Sequence, residues 1–374
     1  MCLMLKLGVL GVGAIATVDY GVLPNLHHIA DKVELVALCD PVEERTAAAA
    51  KTYGARETYA TLDEMLDASD IDLVLNLTPI PAHGATSLKI LEAGKHLATE
   101  KPLATTMEEA DALIDLAAAS GLKIVCSPPN MLYPSRIEAA RLIREGVIGK
   151  VAFAKVRASH GGPASMMNWP TDPTWFYQEG SGPLFDVGVY GIHEMLGLLG
   201  PAKRVSAFSG VTEPTRVVRS GPYAGKEITV TTDDNTLIML DFGGGTFAVV
   251  DGTFNVNAAK GPRLEVFGRE GTLNLPNNLP VNGGRGIDLF LLEAAAGLSG
   301  WVDLDLAHLE PAQQRVDKLR RALLVDHLAD VVNGTAEEVM GGDVARHALE
   351  IMLKAHESAR TGQALELTTT FTRP

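Results

Sequence analysis

The chain is poor in cysteine and in positive charge, and it has no long apolar run. Its 374 residues include three cysteines, Cys2, Cys39 and Cys126, each isolated in an apolar stretch. No paired spacing occurs, so neither a disulfide framework nor a zinc knuckle is supported, and a cytoplasmic location is expected. The 32 basic side chains are outnumbered by 46 acidic ones, for a net charge of −14. Binding to a phosphate backbone needs a basic footprint, so nucleic acid is not expected as a partner, nor is an anionic membrane surface. No stretch reaches the roughly 18 uninterrupted apolar residues of a membrane helix. The ten histidines show no H-E-x-x-H or other ligand spacing, and no metal is expected. What is present is ordinary globular composition, 46% hydrophobic and 21% charged. The length suggests two domains at roughly 150 residues each.

Lys6 and the apolar run ending at Ala14-Ile15-Ala16 imitate a secretory signal with an Ala-x-Ala site. Gly8, Gly11 and Gly13 interrupt that run, and the sequence beyond it continues a strand–turn–helix unit. The segment is therefore expected to be structural. Leu5 to Leu10 and Val33 to Leu38 read as apolar strands with helix-length sequence between them. Helical stretches at 43–53, 85–93 and 107–120 then alternate with strands at 71–77, 96–99 and 123–126. Gly94 and Gly121 stand where helices close. Alternation at this spacing predicts an α/β Rossmann domain, a doubly wound parallel sheet, over 1–127.

The pattern changes near Ser127-Pro128-Pro129. One helix is predicted over 135–145. Strand-like stretches follow at 151–158, 203–208, 227–232, 236–242, 246–254 and 263–268, separated by Gly, Pro and Asn. Tandem strands of this kind predict a mostly antiparallel sheet, so 128–374 reads as an α+β domain. Helices are expected at 314–332 and again at about 343–361. The last of these is expected to pack back on the Rossmann domain.

Gly11-Val12-Gly13-Ala14-Ile15-Ala16 fits G-x-G-x-x-G/A directly after a strand. Gly11 permits the tight turn, and Gly13 lets the backbone approach a pyrophosphate. Ala14 and Ile15 open the helix whose amides face that group, and Ala16 keeps the helix close to the sheet. Asp40 ends the second strand, where an acid accepts both ribose hydroxyls and repels a 2′-phosphate. No Arg or Lys follows before Arg45, so NAD is favoured over NADP. Glu100-Lys101-Pro102 closes the strand at 96–99, on the sheet edge that faces the ligand crevice. A lysine there can donate to a substrate alkoxide or carbonyl oxygen. By spacing alone, such a pair is more often a surface ion pair.

Asp186, Tyr190 and His193 stand at i, i+4 and i+7, on one face if the segment is helical. An acid, a phenol and an imidazole together suit proton handling. A capped helix with its Tyr and His satisfied by packing fits the same spacing. Trp169, Trp175, Phe176 and Tyr177 cluster just upstream. Trp175 is a candidate wall for the C–H face of a sugar, or a core residue. His83 is expected to cap or pack against the helix that follows it.

The fingerprint, Glu100-Lys101-Pro102, the Asp186–Tyr190–His193 stretch and the antiparallel second half together resemble the glucose–fructose oxidoreductase/inositol dehydrogenase (Gfo/Idh/MocA) family over essentially the whole chain. The resemblance implies NAD(P) on the Rossmann domain and a sugar or cyclitol substrate bound between the domains. It also implies an open antiparallel sheet that makes the contacts of a homodimer or homotetramer. Lys101 would then bind the reacting oxygen, and Asp186 would fix the substrate and Lys101. Tyr190 would hold the acid/base position, with His193 on substrate hydroxyls or itself the base. Thr78-Pro79 and Asn130 match family positions beside the cofactor, although Asn130 also reads as a turn residue after two prolines. The implied activity is an NAD-dependent sugar or polyol dehydrogenase. An NAD-recycling glycoside hydrolase and a non-catalytic NAD-sensing protein use the same parts.

Overall fold

In the computed structural model, residues 3–275 and 286–373 are described, and Cys2 lies outside them. The first apolar run forms β1 (Leu5–Leu10), buried except at Lys6. Five further strands join it: β2 (Val33–Cys39), β3 (Glu57–Tyr59), β4 (Leu73–Asn76), β5 (His96–Thr99) and β6 (Ile124–Cys126). They lie in the order β3-β2-β1-β4-β5-β6, and every pairing is parallel. A parallel sheet is covered on both faces, so its strands read as continuous apolar runs without alternation. The order reverses between β1 and β4. That switch point opens a crevice at the carboxyl ends of the strands.

The helices of this sheet are fixed by their ends. α2 (Glu43–Tyr53) stops at Gly54, which is left-handed at φ 82°, and α5 (Met107–Ser120) stops at Gly121, at φ 67°. Capping boxes start α3 (Leu62–Ala68), at Thr61 and Glu64, and α5, at Thr106 and Glu109. α4 (His83–Glu92) lies between β4 and β5. The segment between β1 and β2 departs from expectation. Its helix, α1 (Ala14–Thr17), has four residues, and a 3₁₀ segment, Leu23–Ile29, replaces the remainder. Gly21 explains the break: a Cβ there would lie within 2.9 Å of the Ile15, Ala16 and Val18 carbonyl oxygens. The chain doubles back too tightly for α1 to continue.

The described chain divides into two compact units. One runs up to Pro129 and adds Pro311–Leu349; the other comprises Asn130–Glu310 with Glu350–Arg373. In the first unit, α8 (Glu310–Leu319) and α9 (Leu323–Val332) replace the single helix expected at 314–332. Arg320 separates them at φ 51°, a left-handed backbone that no α-helix continues through. α9 packs on β5 and β6. The division between units falls inside the last long helix, α10 (Gly342–Thr361). Just before that helix, Gly341 bridges Val125 of β6.

In the second unit, α6 (Pro134–Arg144) precedes β7 (Val151–Arg157), and α7 (Val189–Leu199) precedes β8 (Arg204–Gly210). A small ribbon pairs β9 (Thr215–Val217) with β10 (Glu227–Thr229). β11 (Asn235–Gly243), β12 (Thr246–Thr253), β13 (Leu264–Gly268) and β14 (Gly271–Leu275) follow. After them come β15 (Asp288–Ala295), β16 (Leu298–Val302) and β17 (Leu365–Glu366). The large sheet runs β16-β15-β14-β13-β7-β12-β11-β8-β17. Its pairings are antiparallel except β7 with β12, which is parallel. α7 packs closely on β7 and β12: a Cβ on Gly191 would sit 3.0 Å from Val156 and Val250. Among the described residues, no helix is long and apolar enough to cross a membrane.

Candidate active site

The crevice edge of the first unit gathers the fingerprint, the acid and the lysine. Gly11 is at φ +93°, and a Cβ there would lie 2.7 Å from the Leu77 carbonyl oxygen. Only glycine lets the turn lie this close to the end of β4. A Cβ on Gly13 would meet nothing within 4 Å, so the second glycine faces open space. Ala16 is fully buried. Val12, Gly13, Ala14, Thr17 and Arg45 are among the residues lining an open cleft of about 410 Å³.

Asp40 is buried and tied to the fingerprint. The Val12 amide donates to its Oδ2 at 2.9 Å, and the Val42 amide to its Oδ1 at 3.0 Å. A carboxylate has about four acceptor sites, so two remain for ribose hydroxyls. The glycine turn, the open face at Gly13 and this acid fit a dinucleotide. Arg45 stands 3.6 Å from Asp40 Oδ1 and is exposed. It places a cation nearer the Asp40 carboxylate than sequence spacing suggests. The four-residue α1 gives the expected helix dipole little length to build on.

Thr78 is held by Asn76, whose Oδ1 accepts from the Thr78 amide at 3.1 Å and from its hydroxyl at 2.8 Å. Pro79 follows, exposed. Glu100-Lys101 extends β5, and the Lys101–Pro102 and Ser127–Pro128 peptides are cis. Glu100 Oε1 accepts from Arg321 Nη1 at 2.8 Å and from Ser127 Oγ at 3.3 Å, while the Lys101 amide donates to Oε2 at 3.3 Å. Burial pushes the Glu100 carboxyl up, but the Arg321 guanidinium and the Lys101 ammonium outweigh it and hold it below the usual range. Lys101 is therefore part of a built charge cluster. Arg321 carries no sequence signal for this role, standing 221 positions from Glu100.

In the second unit, Asp186 lies in a π-helical turn, Leu184–Gly188, that leads into α7. The wider turn shifts the phase, so the 3.6-residue spacing that put Asp186, Tyr190 and His193 on one face does not hold across it. Asp186 and Tyr190 are half-buried. His193 is 4% exposed, and burial pulls its imidazole down to about 4, with Glu194 only partly opposing the shift. His193 is thus neutral at working pH. The 6.5 of a free imidazole, which made it a ready base, does not apply.

Glu194 anchors α7. Its carboxylate is fully buried and accepts from Arg136 Nε at 3.1 Å and from Arg263 Nη1. Burial pushes this carboxyl up, and the two guanidinium groups hold it down. Of the aromatic group, Phe176 and Tyr177 belong to a buried cluster with Phe254, and Trp169 packs on it. Trp175 is 46% exposed and lies tilted against Phe176, with ring centroids 4.2 Å apart. Asn130 is buried, and its Oδ1 has no hydrogen-bond partner. Among the described residues, no three His, Cys, Asp or Glu side chains gather to hold a metal ion.

A glycine turn after β1, an acid after β2 and a charge-clustered lysine after β5, all on a 3-2-1-4-5-6 sheet, define a nicotinamide-dependent oxidoreductase. Comparison with known proteins agrees. The family description "Oxidoreductase family, NAD-binding Rossmann fold" matches residues 5–127, and "GFO/IDH/MocA C-terminal domain" matches 137–274. The chain belongs to the Gfo/Idh/MocA oxidoreductase family. It is 26% identical over 292 residues to levoglucosan dehydrogenase of Pseudarthrobacter phenanthrenivorans, covering 72% of this chain and 73% of that protein. It is 29% identical over 279 residues to inositol 2-dehydrogenase/D-chiro-inositol 3-dehydrogenase of Lacticaseibacillus casei, covering 74% and 73%. A levoglucosan dehydrogenase structure in complex with NADH and L-sorbose shares its fold with TM-score 0.82, at 21% identity over 98% of this chain and 99% of that one.

Proposed function

We propose that this chain is an NAD-dependent dehydrogenase that moves a hydride between the nicotinamide and a secondary alcohol or ketone of a sugar or cyclitol. NAD supplies the hydride acceptor; the chain supplies binding, orientation and proton transfer. The observation that carries this reading is Lys101 at the end of β5, set in a charge cluster with Glu100 and Arg321. Its ammonium donates to the reacting oxygen, whose charge changes most on the way to the transition state. Tyr190 exchanges that oxygen's proton. Asp186 and the neutral His193 hold substrate hydroxyls, and Trp175 offers a ring face to the sugar. Asp40 takes the ribose hydroxyls, and Gly11, Gly13, Ala14, Ile15, Thr78, Pro79 and Asn130 line the cofactor. The sugar and inositol activities named for the two relatives support this substrate class.

The active form is a homodimer or homotetramer. One face of the large sheet is covered by α7. On the other, register aligns Phe247, Phe153 and Phe267, then Thr272, Phe290 and Trp301 across six strands. Phe208, Leu237 and Met239 stand 83%, 50% and 55% exposed on the same face. An apolar face of this extent fits a second copy of the chain. The described cysteines, Cys39 and Cys126, are buried free thiols, in keeping with a cytoplasmic location.

The test is a screen of sugars, cyclitols and sugar lactones with NAD and NADP, read at the NADH absorbance band. Net NADH on substrate addition supports the dehydrogenase. Glycoside cleavage without net NADH transfers the chain to the hydrolase reading, and no turnover of any substrate to the sensor reading.

A further inference from the structure

His83 opens α4 with its ring turned back toward the sheet edge, 1% exposed. Nδ1 lies 2.7 Å from the Pro102 carbonyl oxygen, and Nε2 lies 2.7 Å from the Thr78 carbonyl oxygen. Carbonyl oxygens only accept. A neutral imidazole carries one N–H, so one of its nitrogens would turn a lone pair on a carbonyl at that distance. The doubly protonated ring donates to both, and charge-assisted bonds of this kind are short.

The two carbonyls belong to different turns. Thr78 follows the Leu77 carbonyl on which Gly11 closes. Pro102 directly follows Lys101. Each turn also has its own support, Asn76 for Thr78 and Arg321 with Ser127 for Glu100, but the His83 ring reaches both.

We propose that His83 is a positioning residue: as an imidazolium it clamps the Thr78-Pro79 turn to the Lys101-Pro102 turn and so sets where the Lys101 ammonium stands. This rests on the reading of Lys101 given above. The charged groups around the ring are Glu100 and Lys101 at the end of β5, Glu109 of α5 against Gly84, and Arg321 paired to Glu100. A misplacement of about 1 Å in a group that meets the reacting atom costs on the order of 10²-fold in rate. A clamp one residue from Lys101 therefore acts on turnover more than on cofactor affinity.

The experiment uses the full chain labelled with ¹⁵N-histidine. A long-range ¹H–¹⁵N correlation spectrum at neutral pH, with the His83 signal identified by its loss in His83→Gln, reads the protonation of each ring nitrogen. Two protonated nitrogens are expected, with and without NADH. Kinetics of His83→Gln, which loses the two opposed ring nitrogens, are expected to show kcat at least about tenfold lower, with KM for NAD changed by less than about threefold. A bare ring nitrogen on His83, or wild-type kcat in His83→Gln, overturns the proposal. Should the variant not fold, sequential assignment of the wild-type spectrum decides the same question. Lys101→Met is measured in parallel. If it stays active, the role given to Lys101 fails first. If it is dead while His83→Gln is unimpaired, only the clamp fails.

Discussion

Arg321, from the turn between α8 and α9, donates to Glu100 Oε1 at 2.8 Å and so holds the residue next to Lys101. Its guanidinium also lies over the Tyr20 ring, 5.9 Å from the centroid. With Arg321 removed, Glu100 keeps the Lys101 ammonium as its nearest compensating charge and draws it away from substrate. Arg321→Ala is expected to lower kcat about tenfold and stability by about 1–2 kcal/mol, less than the 3–5 kcal/mol of a fully buried pair. Arg321→Lys should recover part of the kcat. Steady-state kinetics with a urea melt check both; an unchanged kcat in Arg321→Ala separates the pair from catalysis.

In the proposed site Asp40 and Arg45 together set cofactor choice. The carboxylate repels a 2′-phosphate and also engages the guanidinium beside it. Asp40→Ser should weaken NAD and release Arg45 toward the 2′-phosphate, raising kcat/KM for NADP. Asp40→Ser with Arg45→Ala should lose that gain. Wild-type preference for NADP would contradict this account of the acid.

In the proposed reaction Tyr190, rather than His193, moves the proton. Tyr190→Phe should lose on the order of 10²–10⁴ in kcat, the usual worth of a general base. His193→Asn should mainly raise KM. The opposite pattern reassigns the base to His193.

His193 also sets a pH dependence of stability. Its folded value of about 4 lies below the 6.5 of the unfolded chain, so below pH 6.5 the unfolded state binds a proton that the native state does not. Stability should therefore fall as pH drops from about 6.5 to about 4 and lose nothing further from this group below that. Denaturant melts of wild type and His193→Gln across that window should differ in slope, with the variant flatter. Parallel slopes would mean that the imidazole is not buried neutral.

Much of the first unit was legible because parallel strands and their helices carry local signals. The spans of α2 and α5 follow from alanine-rich runs ended by glycine. β3 and α3 escaped for want of length, although the Thr61–Glu64 capping box marks the start of α3. The breaks at Gly21 and Arg320 are tertiary: one rests on three carbonyls packed against a glycine, the other on a left-handed arginine, and neither alters hydrophobic periodicity. At the proposed site, Gly11, Asp40 and Lys101 stand out in the sequence because the chemistry would need those residue types at the ends of particular strands. Arg321 was not, since its partner is distant in sequence. His83 was visible but looked like a helix cap, because two backbone carbonyls leave no trace in a sequence. The lowered imidazole of His193 was not legible, because it depends on burial.

The most direct test of the account is Lys101→Met, assayed for turnover and, by NADH fluorescence, for cofactor binding in the same preparation. The account predicts a loss of roughly 10²-fold or more in kcat, the order expected for one lost electrostatic donor at the reacting oxygen. NADH affinity should stay within a few-fold of wild type. Turnover within a few-fold of wild type would contradict it and leave Lys101 a member of an ion-pair cluster and nothing more.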